Sequence, residues 1–151
     1  MRWAPRSTVA CVIEQNQRYL CVEEIASGLQ VINQPAGHLE QHETLIEAAR
    51  REVLEETGWE VEVTDLLGLY VYQAPNGATY HRHCFIARPL EHHPEHPLDE
   101  GILRPLWLSY EELCLRSDLR SDMVLTCIED YRAGRRFPLD YIREESTRPS
   151  R

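Results

Sequence analysis

The chain has 151 residues, 42% of them hydrophobic, which suits one globular domain with its own core and is too short for two full domains. Sixteen basic and 25 acidic residues give a net charge of −9, which argues against binding to nucleic acid or to an anionic membrane. A phosphate-bearing substrate would therefore need metal ions or a local group of basic side chains. The start of the chain lacks the apolar stretch of a signal peptide, and no apolar run has membrane-spanning length, so we expect a cytoplasmic protein.

The cysteines are scattered along the chain, with no CxxC pair and no spacing typical of a zinc site. Four of the five lie in apolar stretches, where a free thiol packs as a small hydrophobic group. We therefore expect buried free thiols rather than disulfides. The cysteines are Cys11, Cys21, Cys84, Cys114 and Cys127.

The first part of the chain is predicted to form strands. Residues 7–13 and 17–25 are apolar and rich in β-branched side chains, and the polar segment EQNQ between them predicts a hairpin. A third, short strand is expected at 29–33. Pro35 and Gly37 would end it before the next element begins.

A helix is predicted from Glu43 to Thr57, because apolar residues recur there at intervals of three and four. Gly58 supplies its C-terminal stop. Residues 59–73 alternate in polarity and predict a strand with a bend near Asp65, followed by the turn signal PNG. The returning strand is expected at 78–90.

The remaining segments predict a loop, a strand and two helices. Residues 91–101 combine histidines, prolines and acids and indicate a solvated loop, while Pro105 makes the strand at 102–108 an edge or bulged one. A capping box begins at Ser109, and a longer helix at 121–134 is expected to be capped by Ser121. Helices separated by several consecutive strands favour an α+β or α/β/α sandwich with a mixed sheet.

Three carboxylates lie close together on the first helix. Glu52, Glu55 and Glu56 share one helical face, where like charges repel one another. Pooled carboxylate oxygens suit hard divalent cations such as Mg²⁺ or Mn²⁺, which would let an acidic protein accept an anionic diphosphate. The competing interpretation is an ordinary solvated face in an acidic protein.

The spacing of the segment 37–59 resembles the Nudix box of the Nudix hydrolase superfamily. Gly37 is followed after five residues by Glu43, and after seven more by the sequence REV, one residue, two glutamates, one residue, and Gly58. Trp59 is the one departure from the pattern of the box, because a smaller aliphatic residue is usual at this position. The resemblance implies an α/β/α sandwich with a mixed sheet and a loop–helix–loop box. It also implies that a metal-activated water hydrolyses a nucleoside diphosphate that is linked to another group.

Residue roles follow from this resemblance by position. Glu52, Glu55 and Glu56 resemble the metal ligands, and Gly37 resembles the residue that adds a backbone carbonyl. One of the three glutamates doubles as general base, and the resemblance does not decide which. Together with Arg51 they make up the expected catalytic set. The residues that resemble the structural support of the box are Glu43, Arg51 and Gly58.

The resemblance extends beyond the box, over residues 7–142, to the NudJ group of small Nudix enzymes. It rests on the segments TVACVIEQNQRYLCVEE, NQPAGHLE, LRSDMV and YRAGRRFPL. It implies a phosphatase of low selectivity that acts on nucleoside di- and triphosphates and on thiamine-pathway pyrophosphates. The expected domain spans 1–142, with a frayed tail at 143–151.

Five side chains are candidates for contact with the substrate. Arg82 could reach a terminal phosphate, although a solvated strand charge is equally compatible. Gln34 and His38 flank the entrance of the box and could hydrogen-bond a phosphate or base, or serve as plain surface residues. Tyr72 could stack on a ring or pack on the core. Glu100, just before the strand at 102–108, is a candidate base or additional ligand.

Three other functions are compatible with parts of this pattern. An ADP-ribose or dinucleoside polyphosphate hydrolase is not excluded. A non-catalytic Nudix module for ligand binding is disfavoured because all box glutamates are present. An enzyme for capped or triphosphorylated RNA ends is disfavoured by the net charge of −9 and the lack of a basic stripe. The sequence does not decide between a monomer and a homodimer.

Overall fold

A computed structural model of the protein describes residues 1–145. No helix in this part of the chain is both long and apolar enough to cross a membrane. A single 3₁₀ turn, Leu139–Tyr141, follows the last helix. In chain order the elements are β1 (Arg6–Gln15), β2 (Arg18–Ala26), β3 (Leu29–Asn33), β4 (Ala36–His38), α1 (Leu45–Thr57), β5 (Trp59–Gln73), β6 (Thr79–His92), β7 (Ile102–Ser109), α2 (Tyr110–Cys114) and α3 (Met123–Arg132).

The strands form a mixed sheet in two parts. In the first part the order is β4-β1-β6-β5, and β1 and β6 run parallel while the other neighbours are antiparallel. The second part contains β3, β2 and β7, and the β1–β2 hairpin joins it to the first. The predicted mixed sheet with helices is thereby confirmed.

Helices cover both faces of this sheet. Along β1, Val9, Cys11 and Ile13 pack in one core cluster with the buried face of α1. Ala10 and Val12 point the other way, into a second cluster that includes the buried residues of α3. Alternation along a strand sends successive side chains to opposite faces, so one strand supplies two cores. The result is an α/β/α sandwich.

Three differences from the sequence prediction change how a helix begins or add a strand. The other predicted ends differ by no more than two residues, including the end of β6 at His92, inside the predicted loop. α1 begins at Leu45 rather than Glu43, because the Thr44 hydroxyl accepts from the Glu47 amide as N-cap of a capping box. β4 was not predicted, and its short pairing with β1 crosses the Pro–Gly segment that indicated a break. α3 begins at Met123 with Asp122 at the N-cap, although the Ser121 hydroxyl still accepts from the Met123 amide.

Part of the segment after residue 142 contacts the fold. The Glu144 carboxylate oxygens accept hydrogen bonds from the Leu45 amide, both at 3.1 Å, at the N-terminus of α1. A carboxylate at this end of a helix also interacts favourably with the helix dipole. Residues 146–151, the remainder of the predicted frayed tail, lie outside the described residues.

Gly58 generates a stability prediction. It ends α1 in the left-handed region (φ 74°), and a Cβ there would lie 2.9 Å from the carbonyl oxygen of His93. We expect Gly58→Ala to lower the free energy of unfolding by about 1–3 kcal/mol, because the left-handed conformation itself costs roughly 1–2 kcal/mol for alanine and the clash adds to it. Urea denaturation measures the change.

Gly134→Ala is the matched control, since Gly134 is also left-handed (φ 88°) but has open space around it. A loss of stability in Gly58→Ala no larger than in Gly134→Ala would show that the contact with His93 has no energetic role.

Candidate active site

The buried stripe of α1 contains two glutamates. Glu52 and Glu56 are only 9% and 7% exposed, and they follow the helical spacing of the apolar residues that bind α1 to the sheet. An ionised carboxylate removed from water is unfavourable unless a cation or hydrogen-bond donors compensate it. The apolar members of the same stripe are Leu45, Ala48, Ala49 and Val53.

Three acids converge beside α1. Ligand oxygens of Glu52, Glu55 and Asp99 all lie within 4.8 Å of one another. The loop after β6 is held there because the Asp99 amide donates to the Glu55 carbonyl at 2.9 Å. Glu100, the acid chosen from the sequence, is exposed and is not part of this group. The structure thus brings Asp99, not Glu100, to the glutamates.

Arg51 connects the carboxylates to the loop before the helix. Its Nε and Nη2 donate to the two oxygens of Glu43, at 2.6 and 2.9 Å, in a bidentate pair. Its Nη1 donates to Glu52 at 2.7 Å and to Glu55 at 3.1 Å. The hydrogen bond from Arg51 holds the pKa of Glu43 below its usual value. One guanidinium therefore fixes the relative positions of three carboxylates.

Glu56 and Gly37 link the helix to the edge strand β4. An oxygen of Glu56 accepts a hydrogen bond from the Ala36 amide at 2.9 Å. Gly37, the next residue, faces α1, and a Cβ at this position would lie 2.1 Å from the carboxyl carbon of Glu52. Gly37 is therefore required by the close approach of Glu52, which leaves no room for a side chain.

Burial changes the protonation of these acids. It raises the pKa of Glu56 to about 9; the Ala36 amide opposes this, and the charges of Glu52, Glu24 and Asp99 add to it. Burial likewise raises the pKa of Glu52, against the effect of Arg51. Grouped oxygen donors whose ionised forms are unfavourable without a cation fit a hard divalent ion such as Mg²⁺. The residues present therefore fit the expected metal.

Glu24 is a further acid near the site that the sequence prediction missed. It is 8% exposed on β2, where it contacts the Asn33 amide at 3.4 Å and forms an ion pair with Arg120 at 2.9 Å. Its segment, LCVEEI, predicts only an apolar strand. Its partners come from β3 and from the segment before α3, and these contacts have no local sequence signal.

The proposed substrate contacts lie on the sheet face opposite α1. Arg82 is 4% exposed and donates to Gln34 at 2.6 Å, so neither is a solvated surface group. Tyr72 stacks on Tyr80 at 5.4 Å between ring centroids, and the exposed His38 ring lies 6.4 Å from Tyr80. The structure therefore brings four of the five candidates together.

A second group of possible ligand atoms lies on the surface, formed by Glu60, Glu91 and His93. Its two glutamates are exposed and face one another across β5 and β6. His93 belongs to the histidine-rich loop predicted to be solvated. Solvent screens these charges, and the group is separate from the acids beside α1.

The model of the NUDIX domain family matches residues 4–125. The chain belongs to the Nudix family. This Nudix hydrolase is 40% identical over 138 residues to phosphatase NudJ from Escherichia coli K12, covering 91% of this chain and 90% of that protein. It is 45% identical to a Nudix hydrolase from Nitrosomonas europaea, with a TM-score of 0.92, over 94% of this chain and 98% of that one. These matches confirm the resemblance stated from the sequence.

A more distant structure shares the fold alone. It is an ADP-ribose pyrophosphatase from Streptococcus suis, 18% identical, with a TM-score of 0.66 over 86% of this chain and 92% of that one.

Trp59, which departs from the usual box, is accommodated within the fold of the present chain. Its ring stacks on His92 at 4.8 Å and meets Trp107 edge-on at 5.7 Å, at the border of the core.

Gly37→Ala tests the close approach of Glu52 to β4. We expect kcat/KM for a phosphate substrate to fall about 100-fold, since displacing a reacting group by about 1 Å has an effect of this size. The unfolding midpoint should stay near that of wild type, because the new methyl group meets the end of a flexible side chain. Gly77→Ala at the hairpin tip is the control, and equal activity of the two variants would contradict the prediction.

Glu56 should make the stability of the metal-free protein depend on pH. Its pKa of about 9 in the folded chain exceeds its value when unfolded, about 4.3, so the folded state holds the proton more tightly. The resulting stabilisation is complete below the unfolded pKa and is lost as pH rises through the folded pKa.

We therefore expect the Tm of wild-type protein in EDTA to fall between about pH 5 and 9 more steeply than that of Glu56→Gln. Differential scanning calorimetry across this range measures both slopes. Parallel curves for the two proteins would show that Glu56 does not carry the proton.

Proposed function

We propose that this enzyme is a metal-dependent hydrolase of phosphoanhydride bonds in nucleoside di- and triphosphates and in thiamine-pathway pyrophosphates. The observation that carries the proposal is the convergence of Glu52, Glu55 and Asp99 oxygens within 4.8 Å, beside the buried Glu56. The substrate class is supported by the 40% identity to phosphatase NudJ, which extends over nearly the whole of both chains.

The proposed cofactor is Mg²⁺, with Mn²⁺ as an alternative, held by Glu52, Glu55 and Glu56. The Gly37 carbonyl is a further ligand by resemblance, and Asp99 is added from the geometry. The bound ion would supply charge neutralisation of the diphosphate and activation of the attacking water. One of the three box glutamates would take the proton of that water.

Arg51 has a positioning role in this proposal. Its guanidinium already donates to Glu43, Glu52 and Glu55, so its hydrogen bonds are directed to the protein. It keeps the carboxylates at a fixed separation and offsets part of their repulsion. Glu43 in turn holds the guanidinium in place. The backbone amide of Glu43 also donates to the Glu40 carbonyl, which orders the loop before α1.

The proposed setting is the cytoplasm, with a small phosphate compound as the partner. The five cysteines are all free thiols, and Cys114 alone among them is exposed. Free thiols of this kind are usual in a reducing compartment. The net charge of −9 disfavours nucleic acid as substrate.

Chromatographic analysis of the products formed with Mg²⁺ tests the proposal, because hydrolysis of ADP-ribose would release AMP and ribose 5-phosphate and no inorganic phosphate. The substrates are nucleoside di- and triphosphates, thiamine pyrophosphate, ADP-ribose and 5′-triphosphorylated RNA. We expect turnover on the first two classes and its loss in EDTA. Turnover on ADP-ribose alone would contradict the substrate class, and no turnover on any compound would favour a non-catalytic module.

Glu52→Gln and Glu56→Gln test the ligands. Each should lower kcat by about two to four orders of magnitude, because an amide neither holds the metal nor takes a proton as a carboxylate does. Glu47→Gln on the same helix is the matched control, since glutamine also completes a capping box. Activity within a few-fold of wild type in either box variant would exclude that residue as a ligand.

A further inference from the structure

Several buried polar side-chain atoms without a hydrogen-bond partner lie close together in the core. Within residues 1–145, the buried side-chain atoms without a hydrogen-bond partner are Thr8 Oγ1, Gln34 Nε2 and Arg82 Nε. Thr8 stands opposite Arg82 in the β1–β6 register, and Arg82 donates to Gln34. The three atoms therefore belong to one contiguous group, which we call the Arg82 group (Thr8, Gln34 and Arg82).

Arg82 is a buried cation without a carboxylate partner among residues 1–145, and an ionisable group beside it is the buried Cys127 thiol, whose pKa is lowered by a hydrogen bond from Cys84 and by the charge of Arg82. Arg82 is 4% exposed, and no carboxylate in the described part of the chain lies within ion-pair distance. Its hydrogen bond goes to the neutral Gln34 amide, which is itself 1% exposed. A buried unpaired guanidinium destabilises a fold, so its presence is explained best by something outside the chain that it binds.

The Arg82 group lies beside the acid site. Gln34 is two residues before Ala36, whose amide donates to Glu56. Along β4, Gly37 faces Glu52 on the α1 side, so His38 faces the opposite side. Residues in register across β4, β1, β6 and β5 extend from there as a row on one face: His38, Thr8, Arg82 and Tyr70.

Aromatic rings border this row. Tyr80 precedes Arg82 by two positions on β6 and therefore shares its face, and it pairs with Tyr72 on β5. The two rings are stacked, and the Arg6 guanidinium lies 6.0 Å from the centre of the Tyr80 ring. A planar ring of a substrate would find stacking partners here, a few residues from the acids.

The chemistry of the group defines what it would bind. An arginine Nε–H and an amide N–H₂ are donors only, and a threonine hydroxyl both donates and accepts. Such a set is complementary to hydrogen-bond acceptors, as in the pairing of arginine with a guanine edge. It excludes cations and donor-only groups.

We propose that the Arg82 group binds an acceptor oxygen or nitrogen of the substrate, away from the bond that is hydrolysed, and so determines which substrates are accepted. The acceptor belongs either to the ring or to a phosphate that does not react. This inference rests on the proposed function, but binding without turnover tests it separately.

Binding to Arg82→Met is the main test. Calorimetry measures the Kd of the four nucleoside monophosphates and of methylenediphosphonate, all with Mg²⁺. None of these probes contains a phosphoanhydride bond, so their binding does not depend on catalysis. We expect at least tenfold weaker binding of one class of probe. Weakening of the monophosphates alone assigns the ring as the source, and equal weakening of methylenediphosphonate assigns a phosphate.

Stability and two further variants separate binding from a structural role. The Tm of Arg82→Met should equal or exceed that of wild type, because an unpaired buried charge has been removed. Thr8→Val preserves the shape and should weaken the same probe several-fold. Arg88→Met is the control, since Arg88 is exposed on the same strand and paired with Glu62.

Two results would overturn the inference. One is Arg82→Met that binds every probe as tightly as Arg88→Met does, and the other is wild-type protein that binds none of the probes. Loss of probe binding in Arg82→Met together with no turnover of any substrate by wild type would support this inference and contradict the proposed function.

Discussion

The site depends on the close packing of several carboxylates on and beside α1. Glu52 and Glu56 occupy positions in the buried stripe of the helix, where apolar side chains would bind the helix to the sheet more strongly. Arg51 relieves part of the repulsion through hydrogen bonds to Glu52 and Glu55, and Glu43 holds Arg51 in turn. The remaining charge makes the group suited to a divalent cation.

The short strand β4 separates two sites of opposite character. On one side Gly37 admits Glu52, and Arg51 compensates only part of the negative charge of the acids. On the other side Arg82 is a buried cation that has no carboxylate partner within residues 1–145. In the proposed complex, a substrate bound with Mg²⁺ would supply both complements, because its metal would meet the acids and its acceptor atoms would meet the donors. Each unfavourable feature of the free protein would then become a favourable contact.

The sequence predicted the features that local spacing determines. The interval from Gly37 to Gly58 identified the box, and the periodicity of the helix with its glycine stop located α1 to within two residues. The mixed sheet followed from the order of the elements. These properties depend on residues a few positions apart, which a single sequence displays directly.

The features that depend on distant pairing were not predictable in the same way. Asp99 reaches the acids because its amide bonds the Glu55 carbonyl, across most of β5 and β6. Arg82 is buried because Gln34, 48 residues away, folds against it. β4 forms because its residues pair with the edge of β1, although the proline and glycine of this segment predict a break. In each case the partner is supplied by tertiary structure.

The net charge of −9 constrains how a substrate can approach this protein. A free triphosphate is repelled by the overall field, while its magnesium complex has a lower charge and is repelled less. Arg51 is directed to protein carboxylates and Arg82 is buried, so neither of these two offers an exposed cation to draw in a bare anion. The charge distribution of the whole chain therefore favours the proposed metal-complexed substrate, as do the carboxylates of α1.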